Sequence, residues 1–284
     1  MDKVLDAIRK RYSVRTYSLQ KLESNEIKEI RDFLAGNIKG PFGNRVRFKL
    51  VDISEKAADE LKKYVSYGNI TGASLFIAGT VKKGTKCMED FGYCMERNVL
   101  LATSLGLGTV WLGGSLNRSS FAAAMNAAPD ELIPAITPLG YAADKRTVKD
   151  IFIRTLSGGK NRKEFNRIFF ASDFSTPLEK ASCGKYSEVL EAVRLAPSAS
   201  NKQPWRIVWE KEKDVFHFYM DEDKKYNASD KDIHIQNNDM GIAMCHFELA
   251  ATESGFEGSW SAENPKLDAG GFTYIVSWYG RKIE

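Results

Sequence analysis

Apolar residues along this chain recur in two rhythms, and the changes of rhythm mark its elements. Val4, Leu5 and Ile8 fall on one face at helical spacing, which predicts a short amphipathic helix over Asp2–Arg9. Arg11-Tyr12-Ser13-Val14-Arg15-Thr16-Tyr17 reads as extended, and in that conformation Arg11, Ser13 and Arg15 point the same way. Helical spacing returns over Asn25–Leu34 through Ile27, Ile30, Phe33 and Leu34, with Asn25 or Ser24 as the cap. The runs Phe48–Ile53 and Ala73–Val81 read as strands. Asp90–Leu105 is the strongest helix, with Phe91, Cys94, Met95, Val99, Ala102 and Leu105 near helical spacing and Gly106 and Gly108 to stop it. Thr109–Ser115 reads as a strand ending in Gly113 and Gly114, and Pro129–Tyr141 holds another. A helix over Tyr186–Leu195 runs into a turn flanked by Pro197 and Pro204, neither of which lets a regular element pass. An aromatic and β-branched run, Trp205 to Trp209, follows as a strand.

The second half replays the first. At an offset of 149 positions Asp90 meets Asp239, Gly92 meets Gly241, Met95 meets Met244 and Leu100 meets Leu249. Ala102 and Thr103 meet Ala251 and Thr252, Gly106 meets Gly255, and Trp111 meets Trp260. The helix–turn–strand units around Asn44 and Asn201 precede their respective copies at a similar distance. The chain reads as two fused, diverged copies, 1–158 and 159–284, with a joint near Thr155 to Asn161. Helices followed by strands in both halves predict helix–sheet layering and an α+β fold.

Composition narrows the function classes. Of 284 residues, 43% are apolar and 27% charged, a balance typical of water-soluble globular chains. Met1–Arg15 has no apolar core run, so no secretory signal is expected, and no stretch approaches a membrane span. A net charge of +4 gives no reason to expect nucleic acid. Cys87, Cys94, Cys183 and Cys245 have neither metal-ligand nor redox-pair spacing, so reduced thiols in a cytoplasmic protein are expected. His217, His234 and His246 are scattered, and a metal site is not expected.

Three stretches can carry chemistry. Arg11, Ser13 and Arg15 suit a phosphate dianion, although a solvated basic patch after a helix has the same composition. Gly113 and Gly114 let a flat ligand approach the backbone, or simply make a tight turn. Ser198, Asn201 and Gln203 present donors and acceptors on a loop between rigid elements, as binding loops do, and as ordinary polar turns do.

Pro197-Ser198-x-x-Asn201-x-Gln203-Pro204-Trp205 resembles the signature loop of the FMN-dependent nitroreductase family, and Arg11-x-Ser13-x-Arg15 resembles its N-terminal motif. Ile136–Tyr141 resembles a later strand of that family, and Lys160-Asn161-Arg162 its Lys-x-Arg phosphate contact. The resemblance implies a three-layer helix–sheet–helix fold whose two pseudo-repeated halves carry mixed, largely antiparallel sheets, with the Asp90 and Asp239 helices packed at the centre. Family members resemble intertwined homodimers with each flavin at the interface. Here the first half keeps the Arg motif and the second keeps the loop, so one composite site is complete. The twin site would pair Phe170 and Ser172 with Pro41 and Asn44, and lacks its arginines.

The resemblance further implies an FMN oxidoreductase that takes hydride from NADH or NADPH and reduces a nitroaromatic or quinone-like acceptor. Arg11 and Ser13 hold the phosphate, with Lys160 and Arg162. Arg15 lies near the pyrimidine edge. Leu112, Gly113 and Gly114 contact the ring by backbone. Pro197, Ser198, Ala199, Asn201 and Gln203 form the contact from the other half. No side-chain acid or base is required. A flavin-using dehalogenase, a flavin-degrading relative, and a flavin-binding sensor or store without turnover are the alternatives. Expected partners are a small aromatic acceptor and neither nucleic acid nor membrane, and the fused chain is expected to be a monomer that mimics a homodimer.

Overall fold

The computed structural model describes residues 3–56, 70–113, 117–144, 161–224 and 231–281. Helix α1, Val4–Lys10, buries Val4, Ala7 and Ile8. Helix α2, Ser24–Gly36, starts with Glu23 as its cap, and the Glu26 carboxylate accepts from the Glu23 N–H at 2.7 Å. The cap therefore lies one residue before the expected pair, because a carboxylate in the first turn satisfies the end. Strands β1, Val46–Asp52, and β2, Leu75–Lys82, pair antiparallel. Helix α3, Cys87–Ser104, ends where Gly106 takes φ +78°.

The strand expected over Thr109–Ser115 is cut short. Only Gly108–Thr109 forms β3. The next N–H, on Val110, donates to the Thr137 hydroxyl at 3.0 Å instead of to a ladder carbonyl. Leu112 then rejoins the sheet through an isolated bridge to Ile136. Helix α4, Arg118–Met125, follows, capped by the Asn117 side chain, then β4, Glu131–Leu132, and β5, Ile136–Gly140. The expected joint falls at the edge of the described residues, which resume at Asn161. Beyond it come β6, Phe169–Ala171, helix α5, Tyr186–Leu195, β7, Trp205–Glu210, β8, Val215–Met220, helix α6, Ile235–Glu253, β9, Glu257–Ser261, and β10, Thr273–Arg281.

Among the described residues the strands form two five-stranded sheets. One has the order β1-β2-β5-β3, with β4 also paired to β2, and is antiparallel throughout. The other runs β6-β7-β8-β10-β9, with β6 parallel to β7 and the rest antiparallel. The fold is α+β, as expected. Strands β7-β8-β10-β9 repeat the connectivity of β1-β2-β5-β3, with α6 and α3 inserted at the same point.

Helices α3 and α6 lie directly on each other between the sheets. A Cβ on Gly92 would come within 2.2 Å of the Asn238 carbonyl, and one on Gly241 within 2.0 Å of the Glu89 carbonyl. Only glycine allows that approach. The two contacts are reciprocal, because Gly241 and Asn238 lie 149 positions after Gly92 and Glu89. Each helix also holds a turn by a buried carboxyl. Asp90 accepts from the Phe42 N–H at 2.9 Å, the Asn44 N–H at 2.8 Å and the Asn44 side chain at 2.9 Å. Asp239 accepts from the Ala199 N–H at 2.9 Å. The core around α6 is aromatic: Phe216, Phe247 and Trp278 are in mutual ring contact, and Trp260 packs on Phe247. The other face of the first sheet is covered by α4, where Phe121 meets Phe76 edge-on at 5.6 Å.

Phe170 and Ser172, expected to stand in for the Arg motif in the twin site, do not lie in an equivalent position in the structure. Ser13 bridges Thr109 of β3 at one end of its sheet. Phe170 lies in β6, at the end of the second sheet away from β9. The segment has moved to another edge as well as lost its arginines.

All four cysteines are buried and free. Burial raises the Cys94 pKa to about 12. Among the described residues no group of His, Cys, Asp and Glu could hold a metal, and no helix is long and apolar enough to cross a membrane.

Candidate functional site

Two segments from opposite halves meet here. The first leaves α1 at Arg11 and is stitched to the first sheet along its length. The Val14 N–H donates to Thr109 O at 2.9 Å, the Thr71 N–H to Arg15 O at 2.9 Å, and the Tyr17 N–H to Thr71 O at 2.8 Å. Val14 is buried against Gly108, where a Cβ would come within 2.7 Å of its side chain. Arg11, Ser13 and Arg15 are left half-buried. That is the extended backbone expected of this stretch.

The second segment is the turn after α5. Ser200, Asn201 and Gln203 have φ of 47°, 54° and 48°, the left-handed region that non-glycine residues avoid. Such residues cost on the order of 1–3 kcal/mol each and persist where the surroundings over-determine them. Here the surroundings do so. The Gln203 N–H donates to the Ser198 hydroxyl at 2.9 Å, and the Asn201 N–H to Ser198 O at 3.0 Å. The buried Gln203 side chain accepts from the Lys163 N–H at 2.8 Å and donates to Asn201 O at 3.1 Å. The Asn201 amide donates to Asn161 O at 2.7 Å. Asp239 fixes Ala199 from below, and burial pushes its carboxyl pKa far up. Pro197 ends α5, and Pro204 and Trp205 are buried behind the loop.

Arg162 joins the two. Its guanidinium donates to Asn201 Oδ1 at 2.6 Å and to Leu195 O at 3.0 Å. Its Nε is buried with no hydrogen-bond partner. Burial first, then the charges of Arg11 and Arg194, lower its pKa to about 10. Arg194 is paired with Glu191 at 2.6 Å, and no carboxylate among the described residues pairs with Arg162. Two guanidiniums from opposite halves thus crowd a partly dehydrated spot beside a polar loop, which is what an anion would stabilise.

The structure therefore brings Arg11, Arg162, Asn201, Gln203 and Ser198 into one neighbourhood. Ser13 and Arg15 continue along the sheet edge from Arg11. Leu112 is buried, and Gly113 O accepts from Arg118 at 2.8 Å. A Cβ on Gly113 would stand 3.3 Å from Pro134 O, so this glycine serves packing on that side. Gly114 and Lys160 lie outside the described residues. Sequence reading passed over Lys163, whose Nζ donates to Gln203 O at 3.3 Å and whose pKa is lowered to about 8 by burial and then by Arg206. It also gave Asp239 no role in the loop, although the match of Asp239 to Asp90 in the repeat pointed to one.

Residues 3–251 match the family described as "Putative TM nitroreductase". A crystal structure of a putative nitroreductase from Thermotoga maritima is similar at 19% identity and a TM-score of 0.59, covering 97% of this chain and 93% of that one, and shows the same fold. A putative NADH dehydrogenase/NAD(P)H nitroreductase from Bacteroides thetaiotaomicron matches at 22% identity over 52% of this chain and 90% of its own, with a TM-score of 0.42. A nitroreductase with bound FMN from Desulfitobacterium hafniense matches at 20% identity over 53% and 96%, with a TM-score of 0.41. No curated protein gives a significant match.

Proposed function

We propose that this chain, which belongs to the "Putative TM nitroreductase" family, is an FMN-dependent oxidoreductase that takes hydride from NADH or NADPH and reduces a small nitroaromatic or quinone-like acceptor. The observation that carries the reading is Arg162. It is a dehydrated guanidinium beside Arg11, bonded to Asn201, with a buried Nε that has no partner. A phosphate monoester supplies the missing charge and acceptors at that spot. The residues present thus fit FMN.

When bound, FMN supplies the hydride and electron transfer, which no protein side chain can perform. The chain supplies the rest. Arg11, Ser13 and Arg162 would hold the phosphate, and the motif match adds Lys160. Arg15 serves the pyrimidine edge, where a cation stabilises negative charge. The Leu112–Gly113 segment would offer the ring the Gly113 N–H, since the Leu112 N–H and carbonyl both bond Ile136 and Gly113 O accepts from Arg118. Ser198 and Asn201 would contact the ribityl and ring edge from the other half, braced from behind by the buried Gln203, in a loop whose left-handed residues are held before any ligand arrives.

The two halves, 1–158 and 159–284, are fused copies of one unit. The reciprocal Gly92–Asn238 and Gly241–Glu89 contacts and the repeated sheet order support this. The fusion keeps both halves at high effective concentration, so a single chain completes the site without a partner. The second half carries no Arg-x-Ser-x-Arg run, so one chain takes one FMN. Steady-state kinetics with NADH or NADPH and menadione or nitrofurazone test the activity. Parallel double-reciprocal lines are expected, and intersecting lines overturn the single shared flavin face. FMN binding with no NAD(P)H oxidation leaves a flavin binder without turnover.

A further inference from the structure

Below the site, Glu96 of α3 and His246 of α6 meet with neither side chain exposed, both at 0%. Glu96 Oε2 accepts from Trp111 Nε1–H at 2.7 Å, and Glu96 Oε1 meets His246 Nε2 at 2.9 Å. His246 Nδ1 meets Ala192 O at 2.9 Å. The chemistry of these groups fixes most of the protons. A carbonyl only accepts, so Nδ1 carries a hydrogen, and an indole N–H only donates. One proton remains between Oε1 and Nε2, and the pair is neutral overall whichever atom holds it.

The ends of this chain of bonds matter. Trp111 precedes Leu112 and Gly113, the backbone assigned above to the ring. Ala192 lies in the last turn of α5, whose final carbonyls have no partner inside the helix. Two side chains take them: His246 at Ala192 O and Arg162 at Leu195 O. The loop from Pro197 to Gln203 begins directly after that capped end.

The pseudo-symmetric position offers an internal comparison. Trp260, 149 residues after Trp111, also donates its Nε1–H to a carboxylate, Glu248 Oε2, at 2.7 Å. Glu248 is half-buried and its other partner is the Tyr93 hydroxyl at 2.8 Å, while Cys245 occupies the place of Glu96. Among the described residues of this helix pair, the fully buried bridge lies on the side that reaches α5 and its loop.

We propose that Glu96 and His246 are positioning residues for the cofactor site, a one-proton bridge that holds the Leu112–Gly113 segment of one half against the Pro197–Gln203 loop of the other. This rests on the FMN reading. The test is FMN titration, followed by flavin fluorescence and the visible absorption band, on variants shown to be folded by circular dichroism. Glu96→Gln keeps an acceptor for Trp111 and a donor for neutral His246 Nε2, and is expected within about threefold of wild-type affinity. Glu96→Ala breaks both bonds and is expected to bind at least tenfold more weakly with a shifted flavin band. Glu248→Gln is the control and is expected to leave both unchanged. Trp111→Phe decides the matter if Glu96→Ala does not fold, because it removes one N–H at the half-exposed end. Wild-type affinity and band shape in Glu96→Ala or Trp111→Phe overturn the bridge, as does a Glu96→Gln variant as weak as Glu96→Ala. A wild-type chain that takes up no FMN overturns the flavin reading itself.

Discussion

Replacing Arg162 with Ala separates ligand binding from folding. In the ligand-free protein the charged guanidinium is held at a cost, since its pKa falls to about 10 under burial and the charges of Arg11 and Arg194. At about 1.4 kcal/mol per decade, that amounts to about 3 kcal/mol against the charged form. The bonds to Asn201 and Leu195 offset a similar amount, because hydrogen bonds from a charged donor contribute roughly 1.5–3 kcal/mol. Arg162→Ala therefore leaves the apoprotein within about 2 kcal/mol of wild type, a few degrees in melting temperature for a chain of this size. With FMN present the balance changes, because the anion relieves the cost and adds bonds of its own. The variant is expected to bind FMN roughly 10- to 150-fold more weakly, which is 1.5–3 kcal/mol. Inorganic phosphate should raise the melting temperature of wild type and not of the variant. Flavin fluorescence titration and scanning calorimetry of the apoprotein measure both quantities. FMN affinity within threefold of wild type, together with a large loss of apoprotein stability, refutes the reasoning and makes Arg162 a structural cap of α5.

Other expectations follow from the same structure. Asp239→Asn should cost less than about 1 kcal/mol, since burial disfavours the charge that Asn lacks and the one bond from Ala199 needs only an oxygen; Asp90→Asn should cost about 2–3 kcal/mol, because its amide would face one of the N–H groups that both oxygens now accept. The raised Asp239 pKa means the native state binds more protons than the unfolded chain above about pH 4, so stability falls with rising pH there, and Asp239→Asn should remove that slope in urea titrations. Glu131 has the opposite sign: the bond from Arg47 holds its pKa at about 2, so the stability it contributes is present above its ordinary value near 4.5 and lost as pH falls towards 2, and Glu131→Gln should flatten that limb. Arg15→Ala should weaken FMN binding or its reduction by NAD(P)H more than Lys160→Ala does, and equal effects in both assays would remove the reason for placing Arg15 at the ring.

Much of this was legible in the sequence because the chemistry sits in short, unusual runs. The Arg11–Arg15 segment and the Pro197–Trp205 loop can be read without knowing the fold. Helices α3 and α6 announce themselves by periodicity, their terminal glycines and their common offset. What escaped depends on contacts between distant residues. The strand expected from Thr109 stops because the Thr137 hydroxyl takes the Val110 N–H. Helix α4 shows only Phe121 and Met125 to the core, too little for a pattern. Strand β8 is buried on both faces, so its apolar run does not alternate. The left-handed residues of the loop are Ser200, Asn201 and Gln203 rather than glycines, so no glycine pattern marks their conformation. His246 looked like a stray histidine because its partner, Glu96, lies 150 positions away. No arginine run marks a counterpart of the Arg motif near Phe170 and Ser172, and position along a chain does not say which sheet edge a segment joins.

The central claim is a single composite FMN site built from both halves. Its most direct test is the ratio of bound flavin to protein after reconstitution with excess FMN, read by absorbance on the purified chain, for wild type, Arg11→Ala and Asn201→Ala, with solution mass by light scattering. The account predicts one flavin per monomeric chain for wild type and a loss of flavin in each variant, since each removes a contact from a different half. A chain that retains no flavin, a ratio near two, or an obligate dimer in which Arg11 of one chain meets Asn201 of another would contradict it.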